Sequence, residues 1–306
     1  VIVKNVRMHR PVWRRARPAV LAVPLLLGGC YPGVLSPAGY VGASDRTILL
    51  DSLGIMLAII VPTIVLTLSF AYWFRASNKK ATYLPTWAFS GRVEMVTWGV
   101  PLLTIMLLGG VTWVGAHQLD PAEPIPGGKQ PLVIQGVSLD WKWLFIYPDQ
   151  HVATVNELYI PAGTPVKFEL TSASVMNAFF VPQLGSMIYT MNAMSSTLNL
   201  IADKPGDYRG VSAHYSGDGF ADEHFTVHAV PEDQFTAWVG STQGKGPTLD
   251  DDTYKQLMKP SMGVAPYAYG TVEPDIYNKI LSQALPPSPY PANESSDNSH
   301  KTASSL

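Results

Sequence analysis

Residues 47–74 read TILLDSLGIMLAIIVPTIVLTLSFAYWF, and this stretch decides the first half of the fold. As a helix it is long and apolar enough to cross a bilayer, whose hydrocarbon core takes roughly 20 residues. Its one acid, Asp51, stands near the start, and a second run at residues 95–116 meets the same condition. Pro62 and Pro101 fall inside the two runs. Each kinks its helix and frees a backbone carbonyl that a neighbouring helix or a Ser/Thr side chain must satisfy, so the spans are expected to pack against partners. The connecting loop, residues 75–93, carries Arg75, Lys79, Lys80 and Arg92 and no acid before Arg92, which puts it on the cytoplasmic side. Trp73, Trp87 and Trp98 near the cytoplasmic ends suit the membrane interface.

Composition agrees. The 306 residues are 47% hydrophobic and only 14% charged, which leans toward a membrane protein, and the net charge of -2 argues against a nucleic-acid partner. Arginines at 7, 10, 14, 15 and 17 precede a short apolar run, the order of a secretory signal. The run ends Leu27-Gly28-Gly29-Cys30, which fits a lipobox: residues 1–29 as signal peptide, Cys30 as the lipidated residue and 30–46 as an outer-side segment. The competing reading is an ordinary signal peptide ending near a Cys. Cys30 is the sole cysteine, so no internal disulfide forms.

From residue 132 to about 230 the pattern changes to short alternating runs separated by Gly, Pro and Asp, at 132–137, 141–147, 152–160, 165–170, 196–201 and 223–230. Such spacing predicts an antiparallel sandwich or barrel over 117–230. Trp141, Trp143 and Phe145 alternate and are expected on one strand face. His224 and His228 also share a face beside Glu223, yet lack a third fixed ligand for a metal. Helices are expected at 232–239, 249–259 and 274–285, forming an extension over 231–285; the Pro-, Ser- and Asn-rich tail 286–306 reads as disordered.

Two stretches, residues 171–182 (TSASVMNAFFVP) and 210–223 (GVSAHYSGDGFADE), resemble subunit II of the haem-copper respiratory oxidases. In the branch fed by cytochrome c, a His, two Cys four apart, a second His and a Met bind a dinuclear copper centre, with a Glu between the cysteines lending a carbonyl. Those ligand positions here hold Asn177, Ser212, Ser216, Phe220 and Glu223, and His214 stands at the Glu position. Such copper needs thiolate and imidazole donors, so none is expected to bind. The runs 140–148 (DWKWLFIYP) and 183–186 (QLGS) look like the ubiquinol oxidase branch, of the cytochrome bo type, and the resemblance covers roughly residues 25–285.

The resemblance implies a cupredoxin-like Greek-key barrel after a transmembrane hairpin, and a proton-pumping complex that oxidises ubiquinol and reduces oxygen to water. It implies no cofactor on this chain, with haem b, haem o or a, one copper and the quinol site on subunit I, and subunits III and IV as further partners. The setting implied is a bacterial inner membrane with the outer domain periplasmic. It further implies that Glu94 lies at the mouth of a proton-uptake route; the alternative is an acid favourably placed at the positive end of a helix dipole. Trp141 matches the residue that accepts electrons beside the copper in relatives, a role without a destination here, which leaves an aromatic core or a partner-facing stripe. His214 is expected at a surface or interface. Two competing functions remain: a cytochrome c oxidase subunit with a rebuilt metal centre, and a membrane-anchored cupredoxin-like binding lipoprotein.

Overall fold

The computed structural model describes residues 33–82, 84–126 and 129–285; the signal segment, Cys30 and the tail from 286 lie outside them. Helix α1 (Tyr40–Trp73) and helix α2 (Gly91–Gln118) are the two spans, with mean hydropathy 2.4 and 1.7. Both prolines lie within the helices. Thr63 and Thr67 turn their hydroxyls back onto the carbonyls of Ile59 and Thr63, so these polar side chains are satisfied within the helix itself.

Helix α1 begins at Tyr40, seven residues before the expected span, because its first turns pack on the outer domain. Gly42 N–H donates to Leu184 O (2.9 Å), Ala38 N–H to Gln183 O (2.7 Å), and the Ser186 hydroxyl to Asp45 (2.8 Å). The approach is so close that a Cβ on Gly39 would stand 2.0 Å from the carbonyl oxygen of Ile201.

The outer domain is a sandwich of two sheets. Strands β1 (Leu132–Leu139), β2 (Lys142–Tyr147), β3 (Val152–Val155), β5 (Val166–Ser172) and β8 (Ser196–Leu200), with the late strand β12 (Tyr267–Tyr269), form one sheet in the order β12-β3-β2-β1-β5-β8. Strands β4 (Glu157–Pro161), β6 (Asn177–Phe180), β7 (Ile188–Thr190), β9 (Gly206–Ser212) and β10 (His224–Val230) form the other, in the order β4-β10-β9-β6-β7. The β1–β5 and β4–β10 pairs are parallel and the remaining pairs in these two sheets antiparallel, so the barrel is mixed where antiparallel pairing was expected. Three of these strands, β6, β7 and β9, were not legible as alternating runs.

Two positive-φ residues reshape the expected strands. Residues 152–160 were expected as one run, but Asn156 (φ 56) breaks it, and the chain steps from the first sheet into the second. Asparagine tolerates this backbone region, and its side chain fixes the step: Asn156 Oδ1 accepts from Trp143 N–H (2.9 Å) and Nδ2 donates to Val264 O (2.8 Å). The second is Trp141 (φ 65), which stands in the turn after β1 rather than on β2. Leu139 pairs with Lys142, which leaves Asp140 and Trp141 as a two-residue connection. The expected shared face of Trp141, Trp143 and Phe145 is therefore corrected to Trp143, Phe145 and Tyr147, all within the core between the sheets.

The opposite face of β2, Leu144 and Ile146, is buried too. It meets the later part of the C-terminal extension, strand β11 (Thr248–Leu249), helix α4 (Asp251–Leu257), strand β13 (Thr271–Val272) and helix α5 (Ile276–Leu281), whereas the extension's first helix, α3 (Glu232–Thr242), sets Phe235 into the core between the sheets. Leu249, Tyr254, Leu257, Tyr269, Tyr277 and Ile280 pack on Val137, Leu139, Leu144 and Ile146 to build a second core. The six-stranded sheet is thus covered on both faces.

Candidate functional site

The matched ligand positions come from separate elements. Asn177 opens β6, Ser212 ends β9, Ser216 lies in the loop after it, and Glu223 immediately precedes β10. Sheet pairing brings them together: β9 runs beside both β6 and β10, with Phe179 opposite Ser212 and Val211 opposite His224. Three of the five residues gather about the carboxylate of a fourth, Glu223. Asn177 Nδ2 donates to Glu223 Oε1 (2.6 Å) and the Ser216 hydroxyl to Oε2 (2.5 Å). The Ser212 hydroxyl accepts from Trp143 Nε1 (3.0 Å), and its amide donates to Glu223 O (3.3 Å).

Phe220 is the exception. It sits half-buried on a 3-10 turn (Phe220–Asp222) with its ring edge-on to Tyr215 and takes no part in the hydrogen-bonded group. His214 is half-buried and packs edge-on to Tyr189, consistent with a surface or interface position. His224 is exposed, while His228 stacks on Tyr159 and bonds Asp207 (2.7 Å). Among the described residues there is no group of three or more His, Cys, Asp and Glu able to hold a metal.

Asp140 and Lys142, both buried, flank the carboxylate and were not singled out from the sequence. Lys142 Nζ donates to Lys259 O (2.8 Å) and to the Ser261 hydroxyl (2.7 Å), so the extension is tied to this end of the barrel. Trp141 Nε1 donates to Ser216 O (3.2 Å). Its ring lies so near Gly219 that a Cβ there would approach within 2.4 Å. Burial pushes the Glu223 carboxyl up to about 7, against the hydrogen bonds from Ser216, Ser212 and Asn177 that favour its ionised form. Burial likewise lowers Lys142 to about 8, against the nearby charges of Asp140 and Glu223. The only signal for this pair was a lysine set between two tryptophans.

The donors gathered here are a carboxylate, two hydroxyls and an amide. They do not fit a dinuclear copper centre, which takes thiolate and imidazole ligands. Hydrogen bonds do what metal bonds would do at this spot: they hold β6, the loop after β9 and the start of β10 to one another.

A relative from Pseudomonas aeruginosa, "Cytochrome bo(3) ubiquinol oxidase subunit 2", is 47% identical over 263 residues, covering 86% of this chain and 80% of its own. The chain belongs to the quinol oxidase subunit 2 family. "Ubiquinol oxidase subunit 2" of Acetobacter aceti is 47% identical and covers 88% of each chain, and "Quinol oxidase subunit 2" of Bacillus subtilis is 37% identical, covering 79% of this chain and 76% of its own. Residues 243–287 match the COX Aromatic Rich Motif. In this chain the described part of that motif builds the second core and accepts the Lys142 hydrogen bonds. Glu94 lies exposed in the first turn of α2, its N–H donating to Ser90 O (3.0 Å).

Proposed function

We propose that the chain is the non-redox second subunit of a proton-pumping ubiquinol oxidase that reduces oxygen to water. The observation that carries this reading is the Glu223 knot: hydrogen bonds among Asn177, Ser216 and Glu223 occupy the place where a cytochrome-c-fed subunit would collect thiolates and imidazoles. Without a metal there, the outer domain has nothing to receive electrons, and they must enter at another subunit. The names of the relatives support ubiquinol as donor.

In this reading haem b, haem o or a, one copper and the quinol site belong to subunit I, with subunits III and IV completing the complex. The chain anchors through its two spans in the bacterial inner membrane, through a lipidated Cys30, and holds its sandwich on the periplasmic side as a cap. Glu94 serves at the proton-uptake entrance, consistent with an exposed carboxylate at the start of a span beside Arg92.

An oxygen electrode tests the reading on the purified complex, with ubiquinol and reduced cytochrome c as alternative donors. Oxygen uptake with ubiquinol is expected, and uptake with cytochrome c alone overturns the assignment. Replacing Glu94 with Ala is expected to slow turnover without changing subunit content, and an unchanged rate removes the proton-entrance role.

A further inference from the structure

The barrel does not sit flush on the outer ends of the two spans. Between them lies a cavity of about 280 Å³, walled by Tyr40 of α1, His117 and Gln118 of α2, the connection that follows α2, and Ser186 and Asn199 of the barrel. Its walls are held in place. Asn199 Nδ2 donates to Pro121 O and to Ala122 O (3.1 Å each), Ala122 N–H donates to the Asp120 carboxylate (2.9 Å), and prolines at 121, 124 and 126 restrict the backbone of the connection.

The chemistry of the cavity is one-sided. Asp120 and Glu123 line it, and no Lys or Arg does. His117 Nδ1 donates to Trp113 O (2.9 Å), since a carbonyl only accepts, and the neutral ring is left with Nε2 as an acceptor. Three acceptors, two of them anionic, fit a compact cation that carries several N–H donors. Tyr40 and Gln118 add a hydroxyl and an amide that donate to an anion beside it.

The cavity continues below the membrane boundary. Gln118 also heads an apolar groove down α2, lined by Ile48 of α1 and by Met106, Leu107, Gly110, Val111 and Val114. Ile48 touches α2 at Gly115, where an added Cβ would stand 2.7 Å from its Cδ1, whereas a Cβ added at Gly110 meets nothing within 4 Å. From Gln118 to Met106 the helix descends about 18 Å, close to one leaflet of a hydrocarbon core roughly 30 Å thick.

We propose that cavity and groove together form a binding site for one phospholipid whose headgroup ends in a primary amine. Its ammonium lies against Asp120, Glu123 and His117, its phosphate toward Tyr40 and Gln118, and one acyl chain along the groove. Continuity through Gln118 selects a molecule that is polar at one end and apolar at the other. A partner's helix, about 10–12 Å across, suits the groove but not the cavity. An anionic lipid finds no Lys or Arg there. The inference goes beyond the oxidase reading and needs only that the two spans cross a bilayer.

A photo-crosslinking amino acid at Val114 tests the site, in the full chain within its membrane complex, reconstituted into vesicles of phosphatidylethanolamine and phosphatidylglycerol in equal amounts. Mass spectrometry of the crosslinked peptide is expected to find phosphatidylethanolamine in about tenfold excess, the scale of one hydrogen bond to a charged group. Glu123→Lys is expected to erase that excess. Gly110→Leu, which puts a side chain into open space, should cut the lipid crosslink while the complex still assembles. Equal crosslinking of the two lipids, no lipid crosslink, a crosslink only to another polypeptide, or one to acyl chains carried on Cys30 overturns the proposal.

Discussion

Replacing Glu223 with Ala removes the acceptor for both Asn177 Nδ2 and the Ser216 hydroxyl, each in a buried residue. An orphaned buried polar group costs about 1–3 kcal/mol, so the variant is expected to lower the unfolding midpoint of the outer domain, measured by thermal melting of the purified chain. The same carboxylate sets a pH dependence. Its folded value of about 7 stands above the ordinary 4.5, so its contribution to stability is fullest below 4.5 and is lost as pH rises toward 7. Lys142, near 8 against an ordinary 10.5, contributes above 10.5 and loses that contribution as pH falls to 8. Denaturant unfolding at fixed ionic strength should therefore find the pair least favourable between pH 7 and 8, and Glu223→Gln should abolish the decline on the acid side while leaving the alkaline rise. At this scale the resemblance made Asn177, Ser212, Ser216 and Glu223 legible as one site. Phe220 did not join them because its 3-10 turn carries the ring outward to Tyr215. Lys142 was not legible, since alternation gives a strand face but not the carbonyls of residues more than a hundred positions away.

The spans follow from hydropathy, because membrane insertion responds to local composition. The first turns of α1 do not: they include Asp45 and Arg46 and are held by the outer domain. Gly39→Val is expected to part the helix start from the barrel, since even a Cβ meets the carbonyl of Ile201, and faster proteolysis between residues 33 and 45 would report it. The strand boundaries at Trp141 and Asn156 turn on positive φ, which Asn signals weakly and Trp not at all. Asn156→Ala should be destabilising by a few kcal/mol, through a strained backbone and the lost bonds to Trp143 N–H and Val264 O, and chemical denaturation measures it.

For the molecule as a whole, the extension is part of the fold rather than an appendage. A chain ending at Thr242 would expose Val137, Leu139, Leu144 and Ile146 together on one sheet face. Aggregation of the outer domain is expected for that truncation, measured by size-exclusion chromatography in detergent. By itself the amino-acid sequence determined the two spans, their orientation signal and the donor chemistry at the copper position, because hydropathy, charge and ligand softness belong to residues one at a time. Only the tertiary structure decided that Asn177 and Ser216 close onto Glu223, that Lys142 ties the extension to the barrel, and that the uncharged loop between β6 and β7, through Gln183, Leu184 and Ser186, meets the start of α1. Those are distances between segments far apart in the chain, set by which strands pair and in what register.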